Sequence, residues 1–138
     1  MHLLVALDDS EPGWAALEFA CTEHTEDEIT VLHVVDPTES GYGAAAHLGP
    51  DALLDHQRDA AEELLATAED RAADYGCSIA PATVVGQPAD AVVDYAATHA
   101  VDRIVVGSHG RTGFSRVLLG SVAERIVRQA PVPVTIVR

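Results

Sequence analysis

The chain has 138 residues, the size of one domain, with 48% apolar and 22% charged residues, so it is globular in composition and needs no metal or disulfide staple to close a core. Its 22 acids against 8 basic residues give a formal net charge of −14, and all eight basic residues are arginine. A surface that acidic repels nucleic-acid backbones and anionic lipid heads, which argues against nucleic-acid and membrane partners and suits a protein that stays soluble in concentrated salt.

In chain order, residues 3–7 form an apolar run that stops at Asp8 and Asp9, as a strand buried on both faces does. The run is too short for a signal peptide or a membrane span, so a cytoplasmic location is expected. Ser10 can cap a helix that carries Trp14, Leu17, Phe19 and Ala20 and ends near His24. Residues 29–35 read as a second buried strand, and 36–50, punctuated by Pro37, Gly41, Gly43 and Gly49, as a loop that is either a lid over a ligand or a plain connector. A long helix is expected over 51–75, with Leu53, Leu54, Leu64, Leu65 and Ala68 among its apolar positions. Glu62, Glu63, Glu69, Asp70 and Asp74 form its solvated face, and Gly76 is placed to end it. A strand over 79–85, a helix over 88–99 and a strand over 103–106 follow. The glycine-rich stretch 107–113 leads to a helix over 117–129 and a last strand from Pro131 to Val137.

Five strands alternating with four helices, without a repeat or an interior linker, predict a single α/β domain over residues 1–138. Such alternation calls for a doubly wound parallel sheet covered by helices on both faces. Ligands on such sheets sit at the carboxyl ends of the strands, which directs attention to Asp8-Asp9-Ser10, to His33 through Asp36, and to Gly107 onward.

Gly107, Gly110 and Gly113 recur at every third position directly after a strand, and Gly120-Ser121 follow near the start of the next helix. Glycines there let the backbone take positive φ and approach a ligand, and successive N–H groups can cradle an anion such as a polyphosphate. Spacing alone equally allows a plain strand–helix turn whose glycines only relieve strain. Charge favours the anion: residues 103–138 hold six arginines (103, 111, 116, 125, 128 and 138) against one acid, Glu124, whereas residues 1–102 hold only Arg58 and Arg71. The competing account is that Arg103, Arg125, Arg128 and Arg138 pair with neighbouring acids or lie at a subunit contact. Arg111 and Arg116 are the stronger anion candidates.

These residues resemble the universal stress protein family. Gly107-x2-Gly110-x9-Gly120-Ser121 looks like the family's nucleotide-binding motif, and Val5-Ala6-Leu7-Asp8-Asp9-Ser10 like its first strand and turn. Leu32-His33-Val34-Val35-Asp36 resembles its second strand end, and Pro131-Val132-Pro133-Val134 its last strand. The resemblance implies a five-stranded parallel sheet binding ATP, or another adenine nucleotide, with Mg²⁺ or Mn²⁺. It assigns Asp8 to the ribose and the metal (for the metal, through water), Ala6 and Leu7 to the strand end beside the base, and Val34 to adenine. Val106, Gly107, Gly110 and the neighbouring Arg111 fall at the phosphate loop, and Gly120, Ser121 and Val122 at a second phosphate contact. Ala123 departs from members with a hydroxyl at that position. The family also pairs its last strand across a two-fold axis, so a homodimer through Pro131 to Val137 is expected.

Other chemistries lack their residues. A phosphorelay receiver needs an acid at the third strand end, where this chain has Val84-Val85-Gly86-Gln87, and a lysine, of which there is none. Neither GxxxxGK[ST] nor GxGxxG occurs, and the seven histidines show no zinc-enzyme spacing. His33 reads as a satisfied, partly buried strand residue; His109 either touches phosphate or faces solvent. No nucleophile–base–orienter set is evident, and Ser108, Ser115 and Ser121 read as hydrogen-bond donors. Cys21 and Cys77 lie far apart without a CxxC, so neither a zinc knuckle nor a disulfide framework is expected. The leading expectation is an ATP-binding regulatory or protective module. A slow ATPase or nucleotidyl-transfer enzyme on the same fold, and a dimeric interaction module without nucleotide, are the alternatives.

Overall fold

The computed structural model describes residues 1–38, 49–109 and 119–138. Among these, strands β1 (His2–Ala6), β2 (Glu28–Val35), β3 (Ala80–Val85), β4 (Arg103–Gly107) and β5 (Val134–Val137) alternate with helices α1 (Glu11–Glu23), α2 (Pro50–Asp74), α3 (Pro88–Thr98) and α4 (Ser121–Gln129). The strands pair in parallel in the order β3-β2-β1-β4-β5, the doubly wound α/β sheet that the alternation of elements predicts. Ala6 at the end of β1 lies opposite Leu32 on one side and Val106 on the other.

The central strands β1, β2 and β4 are largely apolar because both their faces are covered, whereas β3 at the sheet edge is partly exposed. Leu3, Val5, Leu7, Val31 and Val105 pack with Leu17, Ala20 and Cys21 of α1 and Leu65, Ala68 and Ala72 of α2. Leu4, Leu32, Ile104 and Val106 point the other way and pack with Val92 and Ala96 of α3 and Ala123 and Ile126 of α4. Each fully buried Leu or Ile in these layers contributes roughly 1.5–3 kcal/mol of transfer free energy.

Helix α2 buries the stripe Gln57, Ala61, Leu65, Ala68 and Ala72, steps of three and four that keep one face on the sheet. Its acids Glu62, Glu63, Glu69, Asp70 and Asp74 are exposed, as their pattern predicts. Gly76, at φ +72°, ends the helix: its N–H donates to Ala73 O (2.9 Å) and that of Cys77 to Ala72 O (2.8 Å). These two bonds satisfy the last carbonyls and fold Cys77 back against the core.

Two boundaries differ from the sequence expectation by more than one residue. Helix α4 starts at Ser121, not at 117; Leu119 and Gly120 precede it, and Gly120 is its N-cap with extended backbone, φ −65° and ψ 159°. Strand β5 starts at Val134, not at Pro131, since Pro131 and Pro133 have no N–H for a ladder. The expected glycine loop from Gly110 onward, with Arg111, Gly113, Ser115 and Arg116, and most of the expected 36–50 loop lie outside the described residues.

Candidate functional site

Because β2 and β4 flank β1 on opposite sides, the crossovers leaving β1 and reaching β4 lie on opposite faces of the sheet, and a crevice opens at the carboxyl ends of these two strands. Asp8 emerges there from β1. Both its hydrogen bonds to described residues fall on Oδ1, from Ser10 N–H (3.2 Å) and Ser10 Oγ–H (2.5 Å), which leaves Oδ2 for a hydroxyl or a hydrated cation. Ser10 in turn caps α1 by accepting from Gly13 N–H (3.0 Å). Asp9 takes φ 64°, and its Oδ1 accepts from Trp14 Nε1–H at 2.9 Å, turning that carboxylate toward α1.

Gly13 is the hinge of this arrangement. A Cβ on it would fall 2.9 Å from Asp8 Oδ1, and a Cβ on Gly107 would fall 2.9 Å from Gly13 N and 2.7 Å from Pro12 C and Cβ. The first turn of α1 is thus wedged between the ends of β1 and β4. Gly107 is glycine for this contact and not for a positive φ, which among the described glycines only Gly76 and Gly86 adopt. The sequence expectation of positive φ at Gly107 is therefore corrected. Gly13 was not singled out in the sequence, although Ser10-x2-Gly13 is the spacing of a capped first turn.

Apart from Leu7, the other predicted residues that are described gather on the α3/α4 side. Ala6, Val34 and Val106 face that layer, Val106 at 7% exposure. Leu7 points into the opposite layer; its N–H donates to Leu32 O (2.9 Å), and its O accepts from His33 Nδ1–H (2.7 Å). His33 is thereby satisfied and partly buried, and the carbonyl partner fixes the proton on Nδ1. Gly120 N–H donates to Ser108 O (2.7 Å), and a Cβ at Gly120 would lie 3.0 Å from His109 Cα, so α4 starts tight against the end of β4. The N-cap of α4 is Gly120, so no N-cap side chain serves its first-turn N–H groups. Ser121 and Val122 are exposed beside them, and Ala123 is buried at 3% in the apolar layer, a setting that suits a methyl group. Ser108 Oγ and His109 Nδ1 are hydrogen-bonded to each other at 3.2 Å.

The arginine argument narrows. Arg125 pairs with Asp90 (2.9 Å) and Arg128 with Glu124 (2.7 Å), so these two pair with neighbouring acids, while Arg103 donates to the hydroxyl Thr135 Oγ1 (3.1 Å). Gly110, Arg111 and Arg116 lie outside the described residues. No group of three or more metal-ligating side chains forms among the described residues. A divalent ion here would therefore take its ligands mainly from a nucleotide's phosphates and water, with Asp8 as the protein's contribution.

Fold and site together define a doubly wound α/β protein with a candidate ligand crevice at the point where the strand order reverses. The chain belongs to the universal stress protein family, whose family model matches residues 1–138. It is similar to the universal stress protein YxiE of Bacillus subtilis, 30% identical over 145 residues that span 99% of this chain and 97% of that one. Among solved structures it resembles a universal stress protein from Lactobacillus plantarum at 27% identity and TM-score 0.84, covering 100% of this chain and 97% of that chain. It also resembles a universal stress protein solved in complex with cAMP, at 28% identity and TM-score 0.75, covering 100% and 97%.

Proposed function

We propose that this protein is a universal stress protein that binds an adenine nucleotide, ATP foremost, in the crevice between β1 and β4, and acts as a nucleotide-dependent regulatory or protective module of the cytoplasm. The observation that carries this reading is that Asp8, whose Oδ2 has no partner among the described residues, and the glycine-capped start of α4 both stand at the carboxyl ends of β1 and β4. A helix start offers oriented N–H groups to phosphate, and a carboxylate accepts from ribose hydroxyls or holds a hydrated Mg²⁺ or Mn²⁺. Ala6, Leu7, Val34 and Val106 would border the base, Asp8 the ribose and metal. Gly107, Gly110, Arg111, Gly120, Ser121 and Val122 would surround the phosphates. The similar protein solved with cAMP supports an adenine ligand. Among the described residues no helix is long and apolar enough to cross a membrane.

A homodimer through β5 belongs to the same reading. Among the described residues β5 pairs only with β4, and Val122 (39% exposed) and Val127 (46%) of α4 stand open to solvent. An apolar sheet edge of this kind is a liability unless it is paired.

The test is to denature protein purified at high salt and identify the released ligand by chromatography and mass spectrometry, then to titrate ATP and cAMP with and without Mg²⁺. Release of ATP, or saturable ATP binding weakened by Asp8→Ala and by the exposed Ser121→Ala, is the expected outcome. Wild type that binds no adenine nucleotide at any salt or metal concentration refutes it. Gly120→Val alone is a poor probe, because its side chain would strike His109 whether or not a ligand binds. Light scattering at the same salt reads the dimer, and a monodisperse monomer refutes that part.

A further inference from the structure

The fold brings together the two cysteines that the sequence keeps apart. Cys21 lies in the last turns of α1 with 1% exposure, and Cys77 follows the α2 cap, where the left-handed Gly76 and the bond from Cys77 N–H to Ala72 O turn it inward. Both line one partly open cavity of about 290 Å³, at the opposite end of the sheet from Asp8 and Gly107, together with His24, Glu26 and Asp27. Both thiols are free, Cys21 buried and Cys77 half-buried, and Cys77 packs against the apolar layer that contains Cys21. No metal-ligand group forms there among the described residues, so zinc does not explain the pairing.

We propose that Cys21 and Cys77 are a reversible dithiol that an uncharged hydroperoxide converts into an intramolecular disulfide, with Cys77 oxidised first and Cys21 resolving it. In the first step the Cys77 sulfur attacks the peroxide: the O–O bond breaks, an S–O bond forms, the thiol proton goes to the departing oxygen, and an alcohol or water leaves. In the second step the Cys21 sulfur attacks the Cys77 sulfenic acid, an S–S bond forms, and the hydroxyl departs with the Cys21 proton as water. Two thiols thus supply the two electrons that reduce one peroxide. The order follows from exposure. Cys77 opens to the cavity, whereas burial, with the neighbouring Cys77 adding to it, pushes the Cys21 thiol up to about 12, so Cys21 stays protonated at neutral pH and does not react first. The choice of oxidant follows from charge: Glu26 and Asp27 at the cavity, within a chain of net charge −14, repel anionic disulfides and leave neutral peroxides free to enter. Closing the bond would tie the end of α1 to the α2–β3 turn and cross-link the unfolded chain across β2 and α2.

The full-length protein, reduced and then exposed to hydrogen peroxide under native conditions, is alkylated, digested and read by mass spectrometry. The expected product is a Cys21–Cys77 linked peptide pair lacking two hydrogens. It should form at a rate independent of protein concentration, return to two alkylatable thiols with dithiothreitol, and carry a higher urea midpoint. Oxidised glutathione at the same concentration should act about tenfold more slowly. Cys21→Ala should leave a Cys77 sulfenic acid that dimedone traps, and Cys77→Ala should leave a Cys21 that alkylates only on unfolding. Over-oxidised Cys77 without the linked pair, a linkage between two chains, or Cys21 in Cys77→Ala reacting as fast as Cys77 in Cys21→Ala each overturns the proposal. The linked pair is read on the unsubstituted protein, so a variant that folds poorly does not blunt the test.

Discussion

Gly107 at the end of β4 and Pro12 in the first turn of α1 touch so closely that a single added methyl group would sit 2.7 Å from Pro12 C and Cβ. Those atoms belong to backbone and a fixed ring, with no flexible side-chain end to yield. Gly107→Ala should therefore push α1 off the strand ends and cost about 1–3 kcal/mol. Urea denaturation at fixed salt checks it. A variant as stable as wild type would mean that α1 shifts freely and that the crevice is not set by this contact.

Ser10 joins Asp8 to α1, donating to one and accepting from Gly13 of the other. Ser10→Ala removes the cap and leaves Asp8 Oδ1 without its hydroxyl partner, for a loss of ~1–2 kcal/mol in urea unfolding. Nucleotide affinity should fall with it, since the Asp8 carboxylate would no longer be held in one orientation. Unchanged affinity would show that this orientation does not matter to binding.

Asp27 gives the acid limb of stability a local origin. Its hydrogen bond with His24 Nδ1 (2.9 Å), and next that from the Met1 ammonium (3.1 Å), hold its carboxyl below the ordinary 3.8. A carboxylate with a lowered folded pKa stabilises fully above its unfolded value and loses that contribution as the pH falls through the folded one. Wild type should therefore exceed Asp27→Asn in thermal midpoint at neutral pH, and the two should converge below pH 3.8. A difference that persists unchanged into acid would place the effect in packing.

Net charge sets the response to salt. With −14 on the chain, raising ionic strength from 0.1 to 1 M shortens the screening length from about 10 to about 3 Å, and self-repulsion falls accordingly. The thermal midpoint should rise over that range, because the exposed Arg125–Asp90 and Arg128–Glu124 pairs have little to lose. A falling midpoint would show that such pairs outweigh the repulsion.

Much of this architecture was legible in the residues. Runs such as Leu3 to Leu7 have no polar alternation because two helical layers cover them, and Gly76 marked a helix end because a left-handed turn favours glycine. Boundaries were less legible where backbone chemistry intervened: the prolines at 131 and 133 delay β5, and Gly120 holds α4 back to Ser121. The arginine enrichment after residue 103 did not by itself separate ligand-binding from structural arginines: Arg125 and Arg128 find acids only once α3 and α4 are packed and the α4 turn is wound.

The sequence by itself determined the order of elements, the parallel sheet and the strand ends at which sheets of this kind take their ligands, because apolar periodicity and crossover helices are local properties of the chain. Only the tertiary structure decided why Gly107 is glycine, which arginines are occupied, and that Cys21 and Cys77 share a cavity. Apart from the Arg128–Glu124 pair, which forms within one turn of α4, each of these depends on contacts between segments dozens of residues apart, and such contacts exist only once the helices have docked on both faces of the sheet.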